Sequence, residues 1–310
     1  MGEWSRSIGE KGEKIVKFLF EEILNFNSLV ENQTIICVKG DKHKLSGTEK
    51  RNTHGIDGLI YNQSPVEDSL LDIGIISSKY TALEYPNSPS SQFKVYLKDL
   101  AYTIECFNKS KIKSDINFNF NSITKSEIIG ILVWLSNKSD ASFDIVSKVD
   151  SILIDSDLNF DKIILLDNNK VNFLYESIYK TKEIFKTEYV DFVYHNSSLN
   201  FNSMQENSYG KPFPLNYLYS DIIPLRVEDN GNVNLIIYIN DDYNSEHFEQ
   251  ILNFAKLFDH LNTLDKVIIR YKRYDYLENE SSVKERLINF SNYRLNENLV
   301  IQKFPSDFRN

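Results

Sequence analysis

Short apolar runs typical of β-strands alternate with amphipathic helical stretches, and this alternation most constrains the fold. Residues 70–80 form a strand-like run, and residues 92–108 follow with apolar side chains at three- and four-residue steps. Residues 126–136 form another apolar, strand-like run. Because alternating strands and helices build sheets that are at least partly parallel, the sequence predicts an α/β fold.

The chain is longer than one domain usually is, with 310 residues. The pattern of strands and helices starts again near residue 188, so we expect two regions, residues 1–187 and residues 188–310. In the second region, residues 206–227 contain three prolines and predict a loop-rich connection rather than a strand. The residues of the second α/β region do not indicate its role.

Charge and cysteine usage exclude several classes of protein. A net charge of -9 argues against binding of polyanions by bulk attraction, so a nucleic-acid contact would need a local basic patch. Only Cys37 and Cys106 occur, without paired spacing, so we expect neither a disulfide framework nor a cysteine zinc site. We expect a cytoplasmic protein without a signal peptide, and no contact with a membrane, because no apolar run reaches membrane-spanning length.

Two charged side chains close strand-like segments of the first region. Asp57 lies between two glycines in the segment GIDG, and Lys79 ends the apolar run IISSK. If the two segments are antiparallel neighbours joined by a turn, the start of one lies beside the end of the other. We therefore predict that Asp57 and Lys79 meet at one edge of a sheet.

An aspartate and a lysine at one sheet edge suit phosphodiester hydrolysis. A carboxylate can hold a divalent cation, which polarises the phosphate and lowers the pKa of a bound water. A lysine beside it can steady the attacking hydroxide or the charge that develops on the phosphate. Oxygen donors favour Mg²⁺, or Mn²⁺, over softer ions.

Helices are predicted on both sides of these segments. The first, residues 9–25, has an apolar stripe through Gly12, Val16, Leu19 and Ile23. Glycines near its start weaken helical propensity, but they permit close approach to a neighbouring sheet.

Polar residues near the two charged side chains have two interpretations each. Gln92, Lys94 and Tyr96 begin the helix after Lys79 and are either a polar first turn, with Tyr96 half-buried, or contacts for nucleic-acid phosphates. His54 is either a functional residue, as a phosphate contact or as a support for the contact residues, or an ordinary surface-loop histidine. All four are candidate nucleic-acid contacts.

In their order along the chain, these segments resemble the PD-(D/E)XK, or restriction-endonuclease-like, nuclease superfamily. They are GEKGEK with Glu13, GIDG with Asp57, IISSK with Lys79, and the amphipathic helix that follows. The resemblance covers residues 1–110 and implies a mixed sheet flanked by helices in a nuclease-like domain, residues 1–187. Residues 77–105 are similar to nuclease-like subunits of bacterial anti-phage defence systems.

The resemblance implies roles for individual residues. Glu13 and Asp57 would bind the metal, and Lys79 would be catalytic. Gln92 and Tyr96 match the Gln-x-x-x-Tyr pattern of the RecB-like branch of the superfamily. The implied function is metal-dependent cleavage of nucleic acid, DNA in particular, in anti-phage defence, in a complex with another protein subunit.

One position departs from the family pattern, because Ser77 stands where the family has an acid two residues before the lysine. Asp72 should point to the opposite face of the strand. Either Glu13, Asp57 and a backbone carbonyl suffice, or another acid completes the site; the candidates for that acid are Glu10, Glu84 and Glu105.

Two alternatives to an active nuclease remain open. A fold that has lost catalysis would bind nucleic acid or act as a scaffold in a defence complex. A metabolic α/β enzyme that uses the second region is the other alternative.

Overall fold

A computed structural model of the protein describes residues 2–44, 49–120, 123–195, 208–258, 264–290 and 297–305, and only the backbone of residues 2–6. The chain divides into two compact units, Met1–Asn172 and Phe173–Asn310. A functional boundary at residue 187 remains a prediction. In the described part of the chain, no helix combines the length and the apolar character needed to cross a membrane.

The first unit is built around one mixed sheet. Its strands are Val30–Ile36 (β1), Thr53–Gln63 (β2), Leu70–Thr81 (β3), Lys125–Ser136 (β4) and Lys162–Leu166 (β5). They lie side by side in sequence order. β2 is antiparallel to both of its neighbours, β1 and β3, whereas β3, β4 and β5 are parallel. The α/β fold and the mixed sheet predicted from the sequence are therefore confirmed.

The first helix, α1, spans Gly2–Lys17 and continues into a π-helical turn, Phe18–Ile23. α1 packs against β3 at Gly12, where an added Cβ atom would lie 2.8 Å from Cβ of Tyr80 and 3.2 Å from Oγ of Ser78. Only glycine leaves room for this approach, as the sequence predicted. The approach places the following residue, Glu13, near the end of β3.

The second helix, α2, spans Ser90–Phe107 and packs against the sheet with its apolar face. Phe93, Leu97, Leu100 and Ile104 are buried in one core with apolar residues of β3 and β4. Complete burial of such a side chain contributes about 1.5–3 kcal/mol. The same packing fixes the polar residues of α2 relative to the end of β3. A short helix, Lys111–Asn119 (α3), follows.

The second unit contains its own mixed sheet. Its strands are Val190–Val193 (β6), Tyr209–Gly210 (β7), Ile222–Asp229 (β8), Asn232–Asp242 (β9), Lys266–Arg273 (β10) and Leu299–Lys303 (β11). Their order in the sheet is β11-β10-β9-β8-β6-β7. The helices of this half of the chain are Asn168–Leu174 (α4), which spans the boundary, Lys180–Phe185 (α5), Ser245–Phe258 (α6) and Tyr276–Asn289 (α7).

β8 corrects the prediction of a loop-rich connection over residues 206–227. Pro224 lies within β8, opposite Ile237 of β9. On its other side, β8 pairs with β6 only from Leu225 to Val227. The proline therefore stands beyond the end of that ladder, where its missing N–H removes no sheet hydrogen bond.

Candidate active site

Asp57 lies where β2 passes the end of β3. The antiparallel register pairs Gly58 with Ile76. Asp57, one residue before Gly58, therefore lies close to Ser77 and Ser78. The Asp57 carboxylate accepts a hydrogen bond from the backbone N–H of Ser78, with Oδ2 2.6 Å from the nitrogen. Gly58 leaves room here, because an added Cβ atom would lie 3.1 Å from side-chain atoms of Ile76 and Leu29.

A small cleft opens beside this carboxylate. We name it the Asp57 cleft, and it is lined by Glu13, Val16, Lys17, Leu29, Glu31, Asp57 and Ser78. α1 contributes Glu13, β1 contributes Glu31 and β2 contributes Asp57. The structure thus brings together the two residues expected to bind metal, Glu13 and Asp57, and adds a third acid.

Glu31 is a residue that the sequence analysis missed. Its side chain accepts a hydrogen bond from Lys17, with Oε2 2.8 Å from Nζ, and Glu21 lies 4.0 Å from the same ammonium. The hydrogen bond to Glu31 raises the pKa of Lys17. Glu31 pairs with Gly58 in the β1–β2 ladder, beside Asp57. No motif of the sequence indicated Glu31, because its position opposite Gly58 depends on the register of β1 and β2.

The donor chemistry of the Asp57 cleft fits a hard divalent cation. Mg²⁺ binds oxygen, keeps several water ligands, and commonly takes only one or two carboxylates from the protein. The residues Glu13, Asp57 and Glu31 are each partly exposed, so their carboxylates are not closed off from solvent. The cleft therefore suits an open metal site rather than a closed one.

Lys79 lies next to the cleft in sequence but does not line it. Successive side chains of a strand point to opposite faces, and here Ser78 lies against α1 whereas Lys79 lies near α2. The Lys79 ammonium lies 5.6 Å from the ring centre of Tyr96 on α2. The register of β2 and β3 brings the backbones around Asp57 and Lys79 close together. A shared site for their two charged groups stays a prediction.

A second group of predicted residues surrounds this lysine. Gln92 donates a hydrogen bond to the hydroxyl of Tyr96, whose ring stands edge-on to Trp134 at 5.4 Å. Lys94 is exposed on the same helix. Ser77, the residue before Ser78 of the cleft, is half-buried. Lys79, Gln92 and Tyr96 therefore form one polar group at the start of α2.

The candidate replacement acids lie apart from the cleft. Glu105 pairs with Lys39 and with His43, and Glu10 and Glu84 are exposed. Asp72 is buried in β3, and burial, with Glu127 and Glu67 near by, raises the pKa of its carboxyl to about 7. None of these four acids lines the Asp57 cleft.

His54 does not line the Asp57 cleft. It is 0 % exposed, so its interpretation as a surface-loop histidine is wrong. Burial, with the nearby charges of Arg51 and His43, lowers the pKa of His54 to about 4. Its neighbours are His43, Cys37 and Cys106.

The comparison with known families identifies the first half of the chain. The family description "GAPS4 protein PD-(D/E)XK nuclease domain" matches residues 1–170. The chain belongs to the GAPS4 PD-(D/E)XK nuclease family. The resemblance drawn from the residues to this superfamily, and to nucleases of anti-phage defence, is confirmed. Comparisons with curated proteins and with solved structures gave no match.

The GAPS4 nuclease domain contains every residue proposed for the site. The match begins before α1, includes all five strands of the first sheet, and ends at residue 170 within α4. Both the Asp57 cleft and the polar group at the start of α2 lie inside it. The second unit lies outside the matched residues.

Proposed function

We propose that the first unit hydrolyses phosphodiester bonds of nucleic acid, with DNA as the substrate, in anti-phage defence in the cytoplasm. The observation that carries the proposal is the Asp57 cleft, where Glu13 and Asp57 from separate elements face one opening in a GAPS4 nuclease domain. In this proposal Asp57 and Glu13 hold Mg²⁺ or Mn²⁺. A bound ion of this kind polarises a phosphate and lowers the pKa of a bound water.

The hydrogen bond from Ser78 gives Asp57 a fixed orientation. It engages Oδ2 and leaves Oδ1 as the oxygen for a cation. A carboxylate that is held before substrate arrives loses less conformational freedom when it binds. Glu31 adds negative charge to the same opening, and its carboxylate also forms an ion pair with Lys17.

Lys79 supports the reaction by moving towards the substrate phosphate. Its contact with the Tyr96 ring is weak, because such contacts stabilise an exposed pair by about 0.5–1 kcal/mol. A phosphate bound at the Asp57 cleft attracts the ammonium more strongly, since both groups carry full charges. The long lysine side chain then places its charge where the leaving oxygen develops negative charge.

The start of α2 provides the contacts to the nucleic-acid backbone. Gln92, Lys94 and Tyr96 lie in its first two turns, near the partial positive charge of the helix N-terminus. Because the net charge of the chain is -9, a partner subunit with basic surface would strengthen binding of a polyanion. We include such a protein partner in the proposal.

The second candidate function is a nuclease-like subunit that binds nucleic acid without cutting it. Ser77 in place of an acid and the position of Lys79 over Tyr96 favour this alternative. The two candidates differ in metal binding and in chemistry, so both can be tested on the same protein.

Calorimetric titration with Mg²⁺ and Mn²⁺ tests the metal site. The nuclease proposal expects binding to the wild-type protein and at least tenfold weaker binding to Asp57→Ala, because one of two protein carboxylates is removed. Absence of binding to both proteins would favour the non-cutting subunit.

Single-turnover cleavage of DNA, with RNA in parallel, tests the role of Lys79. We expect Lys79→Ala to lower the rate by about 10²- to 10³-fold, through loss of charge stabilisation in the transition state. Lys180→Ala is the matched control, because Lys180 lies 5.2 Å from the ring of Tyr175 in the second unit. Equal rates for the Lys79→Ala and wild-type proteins would exclude the mechanism.

A further inference from the structure

Four side chains that are distant in sequence converge inside the first unit. Cys37 follows β1, His43 lies in the next loop, His54 is in β2 and Cys106 is in α2. One possible ligand atom from each lies within 4.8 Å of all the others. We name these four residues the Cys/His cluster. His43, His54 and Cys106 are each 0 % exposed, and Cys37 is partly buried.

The distances inside the Cys/His cluster match the edges of a tetrahedron around one ion. Nδ1 of His43 lies 3.5 Å from Sγ of Cys37 and 3.4 Å from Sγ of Cys106, and the two sulfurs are 4.0 Å apart. Zinc–sulfur and zinc–nitrogen bonds of ordinary length imply edges of about 3.6 Å between S and N and about 3.8 Å between two S atoms.

A carboxylate orients His43. Its Nε2 lies 2.8 Å from Oε2 of Glu105, which also pairs with Lys39. When Nε2–H donates to this carboxylate, the lone pair of Nδ1 points to the two sulfurs. Metal-binding histidines almost always donate their other N–H to such an acceptor.

A threonine selects the tautomer of His54. Thr103 Oγ1 donates to the backbone carbonyl of Asp99 at 2.9 Å, so its proton is already used. His54 Nδ1, 3.3 Å from Thr103 Oγ1, must therefore be the donor of that contact. The proton on Nδ1 leaves Nε2 as an acceptor, and Nε2 is buried without a hydrogen-bond partner.

The unpartnered nitrogen is the second, independent sign of a ligand. A buried polar atom without a partner costs about 1–3 kcal/mol, and native structures contain few of them. The sulfur of Cys106 also accepts a hydrogen bond from the backbone N–H of Val38 at 3.4 Å, as a metal-bound thiolate would. A disulfide between Cys37 and Cys106 would leave Nε2 of His54 unpartnered.

We propose that Cys37, His43, His54 and Cys106 bind one structural zinc ion. Two sulfur and two nitrogen donors suit zinc, and a site whose four positions all come from protein has no place for substrate. The ion joins the segment after β1 and the start of β2 to α2. This site is separate from the Asp57 cleft, and the proposal does not depend on nuclease activity.

Metal analysis of the full-length protein, purified without chelators, tests this proposal. We expect one zinc per chain, and replacement of zinc by Co²⁺ should give the visible bands of a tetrahedral ion together with thiolate-to-cobalt charge transfer. A protein that takes up no zinc when it is supplied, that holds iron instead, or whose two cysteines are oxidised to a disulfide would overturn the proposal. These measurements need only the wild-type chain, so they do not depend on the folding of a variant.

Variants assign the metal to the four residues. Cys106→Ser and His54→Ala should each lower the zinc content or weaken Co²⁺ binding at least tenfold. His247→Ala is the matched histidine control, because His247 packs against Tyr271 in the second unit, and it should retain one zinc. Asp57→Asn should also retain zinc, which separates a failure at this site from a failure of the proposed nuclease. Full zinc content in Cys106→Ser would contradict the assignment.

Discussion

The Asp57 cleft and the Cys/His cluster share a strand but differ in exposure and in donor atoms. β2 contributes Asp57 to the cleft and His54 to the cluster, on a stretch of only four residues. The cleft is small, and three of its lining residues are partly exposed carboxylates. The cluster is closed, buried and composed of sulfur and nitrogen. One strand therefore carries a site suited to chemistry and a site suited to stability.

The difference follows from what surrounds each donor. In the Cys/His cluster, Glu105 contacts one ring nitrogen of His43, and Thr103 contacts one ring nitrogen of His54. The other nitrogen of each histidine is left to bind an ion. In the Asp57 cleft, the restraint on the carboxylate among the described residues is one hydrogen bond, from the backbone N–H of Ser78. A closed set of donors selects and holds an ion, whereas an open set leaves positions for water and phosphate.

The largest expected effect is on the free energy of unfolding, to which we expect the two sites to contribute differently. Cys106→Ser should lower the unfolding free energy of the first unit by at least about 4 kcal/mol, because loss of a structural metal removes binding energy that exists only in the folded state. The unfolding midpoint should fall by roughly 10 °C. Scanning calorimetry measures both quantities.

Asp57→Asn is the matched variant for this measurement. Asparagine keeps an oxygen that can accept the hydrogen bond from Ser78, so the midpoint should stay within about 2 °C of the wild type. If Asp57→Asn destabilised the protein as much as Cys106→Ser, the division into a stabilising site and a reactive site would be wrong.

The next effect concerns Asp72, a carboxylate that is buried in the same sheet. Its pKa is raised from 3.8 to about 7 by burial, by Glu127 and by Glu67, against the opposing charge of Lys162. Between these pH values the folded chain keeps the proton that the unfolded chain releases. The unfolding free energy therefore falls as the pH rises from about 4 to about 7.

Asp72→Asn removes this cost because an amide has no charge to bury. At pH 8 the variant should be more stable than the wild type by about 4 kcal/mol, and at pH 4 the two should differ by less than about 1 kcal/mol. Urea unfolding at both pH values measures the difference. Asp41→Asn, at an exposed position, controls for the lost charge. Parallel pH profiles for the Asp72→Asn and wild-type proteins would refute the assignment.

Much of the fold of the first unit could be predicted from the sequence. β3 and β4 are buried along most of their length, so their residues form continuous apolar runs that alternate with helical patterns. β8 was missed because Pro224 indicates a break unless the end of the neighbouring ladder is known. A local sequence pattern indicates which secondary structure a segment favours, but not where the neighbouring strand of the sheet ends.

Of the two candidate sites, the sequence indicated one and not the other. Glu13 and Asp57 were found because their order along the chain matches a family pattern. The Cys/His cluster was missed because Cys37 and Cys106 are 69 residues apart, and only the fold joins them. The expectation of no cysteine zinc site came from sequence spacing, which cannot detect such a set. The antiparallel register of β1 and β2, which the structure supplies, places Ile35 opposite His54, near Cys37.

A smaller effect tests how the open site is positioned. Gly12→Ala adds a Cβ atom 2.8 Å from Cβ of Tyr80, so α1 must shift away from β3 and carry Glu13 with it. We expect a loss of about 1–2 kcal/mol in unfolding free energy, after the gain in helix propensity. Affinity for Mg²⁺ should fall several-fold.

Gly9→Ala is the control in the same helix. An added Cβ atom there meets no atom within 4 Å, so only the gain in helix propensity, about 0.5–1 kcal/mol, should remain. Equal Mg²⁺ affinity in the two variants would show that the close approach of α1 does not position the cleft.

The smallest effect concerns Glu31, the acid that only the structure places in the Asp57 cleft. Glu31→Gln removes one negative charge from the opening and should weaken Mg²⁺ binding about two- to fivefold, because a charge near a solvated ion acts through a high dielectric. Glu21→Gln is the matched control: Glu21 also contacts Lys17, at 4.0 Å, but does not line the cleft. Calorimetry at low ionic strength should separate the two variants, and added salt should reduce the difference. If both variants bound Mg²⁺ as the wild type does, Glu31 would be only the partner of Lys17, and the open site would consist of Glu13 and Asp57 alone.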